Sequence, residues 1–150
     1  MDGASGAIAV VSLAVQLLDT VQHITKLFRS IRGSPKQLSH LVETLDQLRD
    51  NLDSARLFID KHITNNGLSD TLLAVTNALK RCQSKVTMLE EFVNKVRTYL
   101  DCQSGIRKSL GSLKIVMKRE DMQEILSQVR DATDGLQTAV SISSAILINE

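Results

Sequence analysis

The sequence predicts an all-α fold, an up-and-down bundle of four long helices with a short extra helical segment before the last. Three observations predict it. Apolar residues return at alternating intervals of three and four along four separate stretches, the spacing of one helix face. The breaks between those stretches collect Gly, Pro, Asn and Ser, residues that end or cap helices. Strict alternation of apolar and polar residues, the mark of a half-buried strand, is nowhere sustained. At 150 residues and 43% hydrophobic content, the chain has the size of one domain able to build a core without metal or disulfide. Residues 1–150 are therefore read as a single bundle, with helices at about 5–32, 35–64, 69–101, 109–117 (short) and 119–148.

The first stretch, AIAVVSLAVQLLDTVQHITKLFRSI, places Ala7, Val10, Ala14, Leu17, Val21, Ile24, Phe28 and Ile31 on one seam. A second apolar line, Ile8, Val11, Val15 and Leu18, runs beside that seam in the first half only. A helix apolar over most of its circumference needs cover from protein or lipid, since exposed apolar surface costs roughly 25 cal/mol per Å². Its end is expected near Arg32, with Gly33 in the left-handed C-terminal position and Pro35 unable to continue the ladder. Ser34-Pro35-Lys36-Gln37 then opens the second helix: Ser34 as N-cap, Pro35 at the first helical position and Gln37 closing a capping box. Its seam runs Leu38, Leu41, Leu45, Leu48, Leu52, Ala55, Ile59 and His62.

Asn65-Asn66-Gly67 ends the second helix and Ser69-Asp70 opens a third, with a seam from Leu72 through Val75, Leu79, Cys82, Val86, Leu89, Val93 and Val96 to Leu100. The periodicity lapses between Asp101 and Gly111. A short apolar cluster, Leu110 to Met117, follows and is read as one or two helical turns. Glu120 and Asp121 suit the positive end of the last helix dipole. That helix carries Met122, Ile125, Val129, Ala132, Leu136, Ala139 and Ile146 on its seam, and its tail VSISSAILI is read as helical despite its β-branched content. Gly135 is its weak point, costing about 1 kcal/mol against Ala.

Composition excludes several function classes. Three Phe, one Tyr and no Trp are few for stacking nucleic-acid bases, and a net charge of +1 gives little general attraction to DNA or RNA. No glycine loop is followed by the Lys-Ser or Lys-Thr of a phosphate cradle, and no Ser, His or carboxylate set has the spacing of a nucleophile or acid–base pair. Two cysteines twenty positions apart and histidines at 23, 40 and 62 match no zinc or redox spacing. No catalytic, metal or cofactor site is therefore expected. His62 is read as a helix-end side chain reaching a carbonyl, Cys82 as a small buried hydrophobe and Cys102 as a thiol in a polar loop. The thiols are read as reduced, the compartment as cytoplasmic, and no cleaved leader is expected.

Charge is uneven along the chain. Residues 102–119 hold five basic side chains, Arg107, Lys108, Lys114, Lys118 and Arg119, and no acid, whereas 120–150 hold six acids and one base. The basic run is either a contact for an anionic membrane or acidic partner, or a solvated connector balancing the last helix. The first helix likewise has two readings. It is a central core helix, as apolar runs of about twelve residues usually are, too short for the ~20 of a membrane span. Alternatively it is a segment that leaves the bundle to pack with other copies or a bilayer.

Over nearly its full length the chain resembles the helical N-terminal domains of fungal STAND proteins, the NLR-like signalling receptors, and among them the HeLo-like group and its relatives. The segments that carry the resemblance are MDGASGAIAVVSLAVQLLDTVQ, SIRGSPKQLSHLVETLDQLRDNLD and SLKIVMKREDMQEILSQVRDATDGLQTAVS. It implies a non-enzymatic effector or signalling domain placed before a nucleotide-binding oligomerisation module. It also implies a role in programmed cell death and heterokaryon incompatibility, with recruitment to a membrane through the N-terminal helix. By position, the executing segment is then Gly3 to Leu18, with Ile8, Val11, Val15 and Leu18 as its membrane or self-association face. The connector of that family often carries an aromatic residue where this chain has Leu113 and Val116. The competing expectation is an interaction module whose same surface binds a helical partner or another copy and never touches lipid.

Overall fold

In the computed structural model the described residues are 3–30, 36–62, 70–102 and 119–148. They form four helices: α1 (Gly3–Arg29), α2 (Lys36–His62), α3 (Asp70–Cys102) and α4 (Arg119–Ile148). No strand occurs among them. The expected caps at Gly33, Ser34 and Gly67 and the short helix at 109–117 lie outside the described residues.

The seam residues whose side chains are described are buried, save His62 and Ala139, which are half-buried, and Ile146, which is exposed. Val10, Ala14, Leu17, Val21, Ile24 and Phe28 of α1 meet Leu38, Leu41, Leu45, Leu48, Leu52, Ala55 and Ile59 of α2, and the α3 and α4 seams complete one continuous core. The seams are widened by residues that polarity had set aside. Among the described side chains, each helix buries one threonine whose hydroxyl donates to the carbonyl four residues earlier: Thr25 to Val21 (2.8 Å), Thr44 to His40 (2.9 Å), Thr76 to Leu72 (2.8 Å) and Thr133 to Val129 (2.7 Å). The helix backbone itself satisfies these hydroxyls, so their burial leaves no orphaned donor.

Contacts between helices fix the topology. Arg29 pairs with Asp46, and Val15 and Leu18 share a groove with Asp53 and Arg56, so α1 and α2 run antiparallel. The Cys82 thiol donates to the Ala132 carbonyl (3.5 Å) and Lys85 Nζ donates to Gln128 Oε1 (3.2 Å), which makes α3 and α4 antiparallel. Asn51 Nδ2 donates to the Thr133 carbonyl (3.2 Å), while Leu57 and Lys61 share a cleft with Val140 and Ser144, so α2 and α4 run parallel. Direction therefore alternates along the chain, as an up-and-down bundle requires. Around the bundle the order is α1, α2, α4, α3: α1 packs on α2 and α3, α4 packs on the same two, and the successive helices α2 and α3 stand on a diagonal with little contact.

Three expectations are corrected. First, α1 ends at Arg29, three residues early, and Ser30 forms a turn on it: its N–H reaches the carbonyls of Lys26 (3.1 Å) and Leu27 (3.2 Å), and its hydroxyl donates to the Leu27 carbonyl (2.6 Å). Second, Ile146 is exposed, and Ser143 holds the buried position on the α4 seam. A period of three and four leads from Ala139 to Ser143, a step that a purely apolar template skips. Third, α3 carries its helical backbone through Cys102, which was assigned to a loop. Cys82 is buried as expected, and desolvation pushes its thiol up to about 12, against a smaller opposing pull from Arg81.

These features give three expected outcomes. Gly135 lies within α4 with nothing near the position of an added Cβ, so Gly135→Ala should stabilise the domain by about 0.5–1 kcal/mol, read as a higher urea midpoint at unchanged slope. Leu52→Ala should cost about 2–5 kcal/mol, whereas Leu57→Ala, half exposed five residues on, should cost under about 0.5. In a Cys102→Ser chain, Cys82 should resist alkylation at pH 8 until the bundle is unfolded. Because its proton is held more tightly in the folded state, the contribution of Cys82 to stability is intact below about pH 9 and is lost as pH rises toward about 12. Urea midpoints measured across that window check the sign.

Candidate interaction surface

Among the described residues, six large apolar side chains are between 47% and 65% exposed: Ile8 and Val15 on α1, Leu57 on α2, Leu73 on α3, and Ile142 and Ile146 on α4. The register places all six in one half of the bundle. Val15 and Leu18 lie level with Asp53 and Arg56, Lys61 and His62 lie level with Ser144, and the pairing of Cys82 with Ala132 sets Leu73 level with the Ile142 region. This half holds the N-terminal ends of α1 and α3 and the C-terminal ends of α2 and α4. It is also poor in charge: Gly3 to Leu18, Thr71 to Leu79 and Gly135 to Ile148 contain no Asp, Glu, Lys or Arg. Charges return to it on α2 and at Asp70.

The stripe singled out on α1 is only partly a surface. Ile8 and Val15 are exposed, while Val11 and Leu18 are half-buried against the core. α1 gives Val10, Ala14, Leu17, Val21, Ile24 and Phe28 to the core from a corner of the bundle, with one face buried against α2 and α3 and the other outside. Val15 and Leu18 form the apolar end of a groove of about 460 Å³ between α1 and α2. Farther along, the groove becomes ionic: Arg56 donates through Nε (3.2 Å) and Nη2 (2.7 Å) to Asp53 Oδ1, and Arg49 lies 3.4 Å from Asp50. Asp46, between Arg29 and Arg49, joins α1 to α2 at the charged end.

The length expectation for α1 is corrected as well. Counted past Leu18, Ile8–Arg29 is 22 residues with a mean hydropathy of 1.4, long and apolar enough to cross a bilayer by length and composition. One third of that window is buried inside the bundle, and core helices and leader sequences have the same profile.

Of the basic set proposed from sequence, only Arg119 falls among the described residues. Arg107, Lys108, Lys114 and Lys118 lie outside the described residues. Arg119 opens α4 at the end where α1 finishes, the far end from Ile8. A 27-residue helix spans about 40 Å, so one contact at the charge-poor tip does not reach both.

A second cleft, of about 440 Å³, separates α2 and α4 beside Leu57, Phe58, Lys61 and Val140. His62 lines it and packs tilted on Phe58, with ring centroids 4.7 Å apart, at the helix end where the sequence had placed it. No group of three or more His, Cys, Asp or Glu able to hold a metal occurs among the described residues. Leu57, Ile142 and Ile146 were missed as surface residues. The signal that finds them is the absence of charge across three stretches that the bundle brings to one end.

Residues 4–136 match the family SesA, described as the N-terminal domain on NACHT NTPases and P-loop NTPases. Searches of curated proteins and of solved structures gave no match. The matched span runs from the first turn of α1 to Leu136 of α4 and takes in the buried residues of α1, α2 and α3 and those of α4 as far as Leu136. This four-helix chain belongs to the SesA family of N-terminal domains on NACHT and P-loop NTPases, the class of domain that its resemblance to STAND receptors implies.

Proposed function

We propose that this domain is a non-enzymatic signalling effector of an NLR-like receptor. It acts in programmed cell death or incompatibility by self-association and by recruitment from the cytoplasm to a membrane through α1. The observation that carries this reading is the exposure of Ile8 and Val15 on a helix that has no charged residue from Gly3 to Leu18. Such a stripe is stable in water only at a cost that a second apolar surface removes. Because the stripe is already outside, engaging it needs no unpacking of Val10, Ala14 and Leu17. Arg119 and the basic connector that precedes it would act, on this reading, as a separate contact for an anionic surface.

The separation of Arg119 from Ile8 favours a second reading, an oligomerisation or partner-binding module with no membrane activity. Vesicle flotation with neutral and anionic lipid, run beside light scattering over a concentration series, distinguishes the two. Deleting residues 1–18 would remove core residues, so substitution isolates the surface. Ile8→Glu with Val15→Glu should keep the helical signal, with a melting point within a few degrees of the parent, and should lose flotation and mass growth together. Mass growth without flotation selects the interaction module. Unfolding of the variant would return the stripe to the core and remove the basis for both readings.

A further inference from the structure

Toward the charged end of the bundle, Gln22, Thr25, Lys26 and Arg29 of α1 and Arg49 of α2 line a pocket of about 310 Å³ between the two helices. Gln22, Lys26 and Arg29 follow one another at steps of four and three, so they stand in one line on the side of α1 turned to α2. The antiparallel register, in which Arg29 meets Asp46, sets Arg49 level with Lys26. Two positive side chains thus face each other across a helix boundary, where a structural ion pair would set unlike charges.

The acids nearby leave this charge partly unanswered. Asp46 pairs with Arg29, but it is not among the walls of the pocket, and its Oδ1 is buried without a hydrogen bond, 3.7 Å from Arg49 Nη1. Among the described residues Arg49 makes one side-chain hydrogen bond, to Asp50 at 3.4 Å, longer than a strong one, so most of its five N–H donors are unspent. Lys26 has no ion pair among the described residues, and the position one turn before it, where an acid would pair with it, is Gln22. Lys26 and Arg29 also suit the negative end of the α1 dipole, but Arg49, in the middle of α2, has no such reason to stand here.

We propose that this pocket binds the dianionic head of a phosphate monoester. Arg49 offers a planar fork to two oxygens, Lys26 a mobile point charge, and Arg29 a second guanidinium anchored by Asp46. The Gln22 amide adds a neutral N–H donor, while the Thr25 hydroxyl, spent on the Val21 carbonyl, only closes the floor. No large apolar side chain lines the pocket, so what it recognises is the anion and not the body that carries it. Three cations from two helices exceed what the single charge of a carboxylate answers, whereas a monoester brings close to two charges and three acceptor oxygens. The site stands apart from the function proposed above, because Lys26 lies about 27 Å along α1 from Ile8.

The test follows the backbone amide NMR signals of the full chain as inorganic phosphate is added, beside sodium acetate at the same ionic strength. Phosphate should move the signals of Gln22 to Arg29 and of Arg49 saturably, and acetate should not. Lys26→Gln and Arg49→Lys, each with an unchanged helical signal, should weaken phosphate binding about tenfold, the loss of one charge-assisted hydrogen bond or of a bidentate fork. Lys80→Gln, exposed on α3, should bind as the parent does. Shifts that acetate reproduces, equal binding by Lys26→Gln and the parent, or no saturable shift overturn the site and leave the apolar stripe on α1 untouched. Flotation with phosphatidylcholine vesicles bearing phosphatidic acid then separates two sources of the monoester. Flotation lost in Lys26→Gln assigns it to a lipid headgroup. Flotation that is absent, or equal in that variant, beside saturable shifts with free phosphate assigns it to a soluble ligand.

Discussion

The bundle depends on the α2 seam. Leu38, Leu41, Leu45, Leu48, Leu52, Ala55 and Ile59 are all buried, and α2 packs extensively on both α1 and α4. The helices α1 and α4 barely meet each other, so α2 and α3 are the walls through which they belong to one core. Burying each Leu or Ile is worth about 1.5–3 kcal/mol, and a seam of this length outweighs the propensity of any one helix. It also frees the outer surfaces from structural duty: once the seam of α1 is covered, what its outer face carries matters little for stability.

That freedom is used unequally along the bundle axis. At the charged end the boundary between α1 and α2 is laced by Arg29, Asp46 and Arg49, and Asp53 with Arg56 continues it toward the middle. Exposed pairs of this kind contribute little stability, but they keep a surface in water and reject an apolar neighbour. At the other end α1, α3 and α4 have no charge over 16, 9 and 14 residues, and the exposed Ile, Val and Leu side chains gather there. A soluble domain gains nothing from this arrangement by itself, since polar replacements at Ile8 or Ile142 would leave the core unchanged. On the function proposed above, its physical sense is contact with something apolar.

The four seams were legible from period alone, because a buried helix face in a bundle is a strict three-and-four repeat and little else satisfies it. Boundaries were less so: the last carbonyls of α1 are met by the hydroxyl and N–H of Ser30, a local bond that no periodicity announces. Ser143 was passed over because a template of apolar residues has no place for a hydroxyl, although four threonines in the same bundle are buried with theirs bonded within the helix. Half of the candidate surface was legible in the same way, as a second apolar line beside the α1 seam. The other half was hidden. Ile142 and Ile146 look like seam residues until the register shows which side of α4 faces α3, and which ends of the four helices coincide is a tertiary fact that no single helix carries.

SesA domains are described as N-terminal domains on NACHT and P-loop NTPases, and the function proposed above asks such a domain to be quiet as a monomer and active when many copies are held together. A surface of modest area suits that requirement. Weak contacts leave isolated copies apart. Tethering through a shared oligomer raises their effective concentration to the millimolar range without adding a contact. On that reading the apolar stripe must be outside before assembly, and the α1 seam allows it: Val10, Ala14 and Leu17 stay buried in the bundle while Ile8 and Val15 face outward.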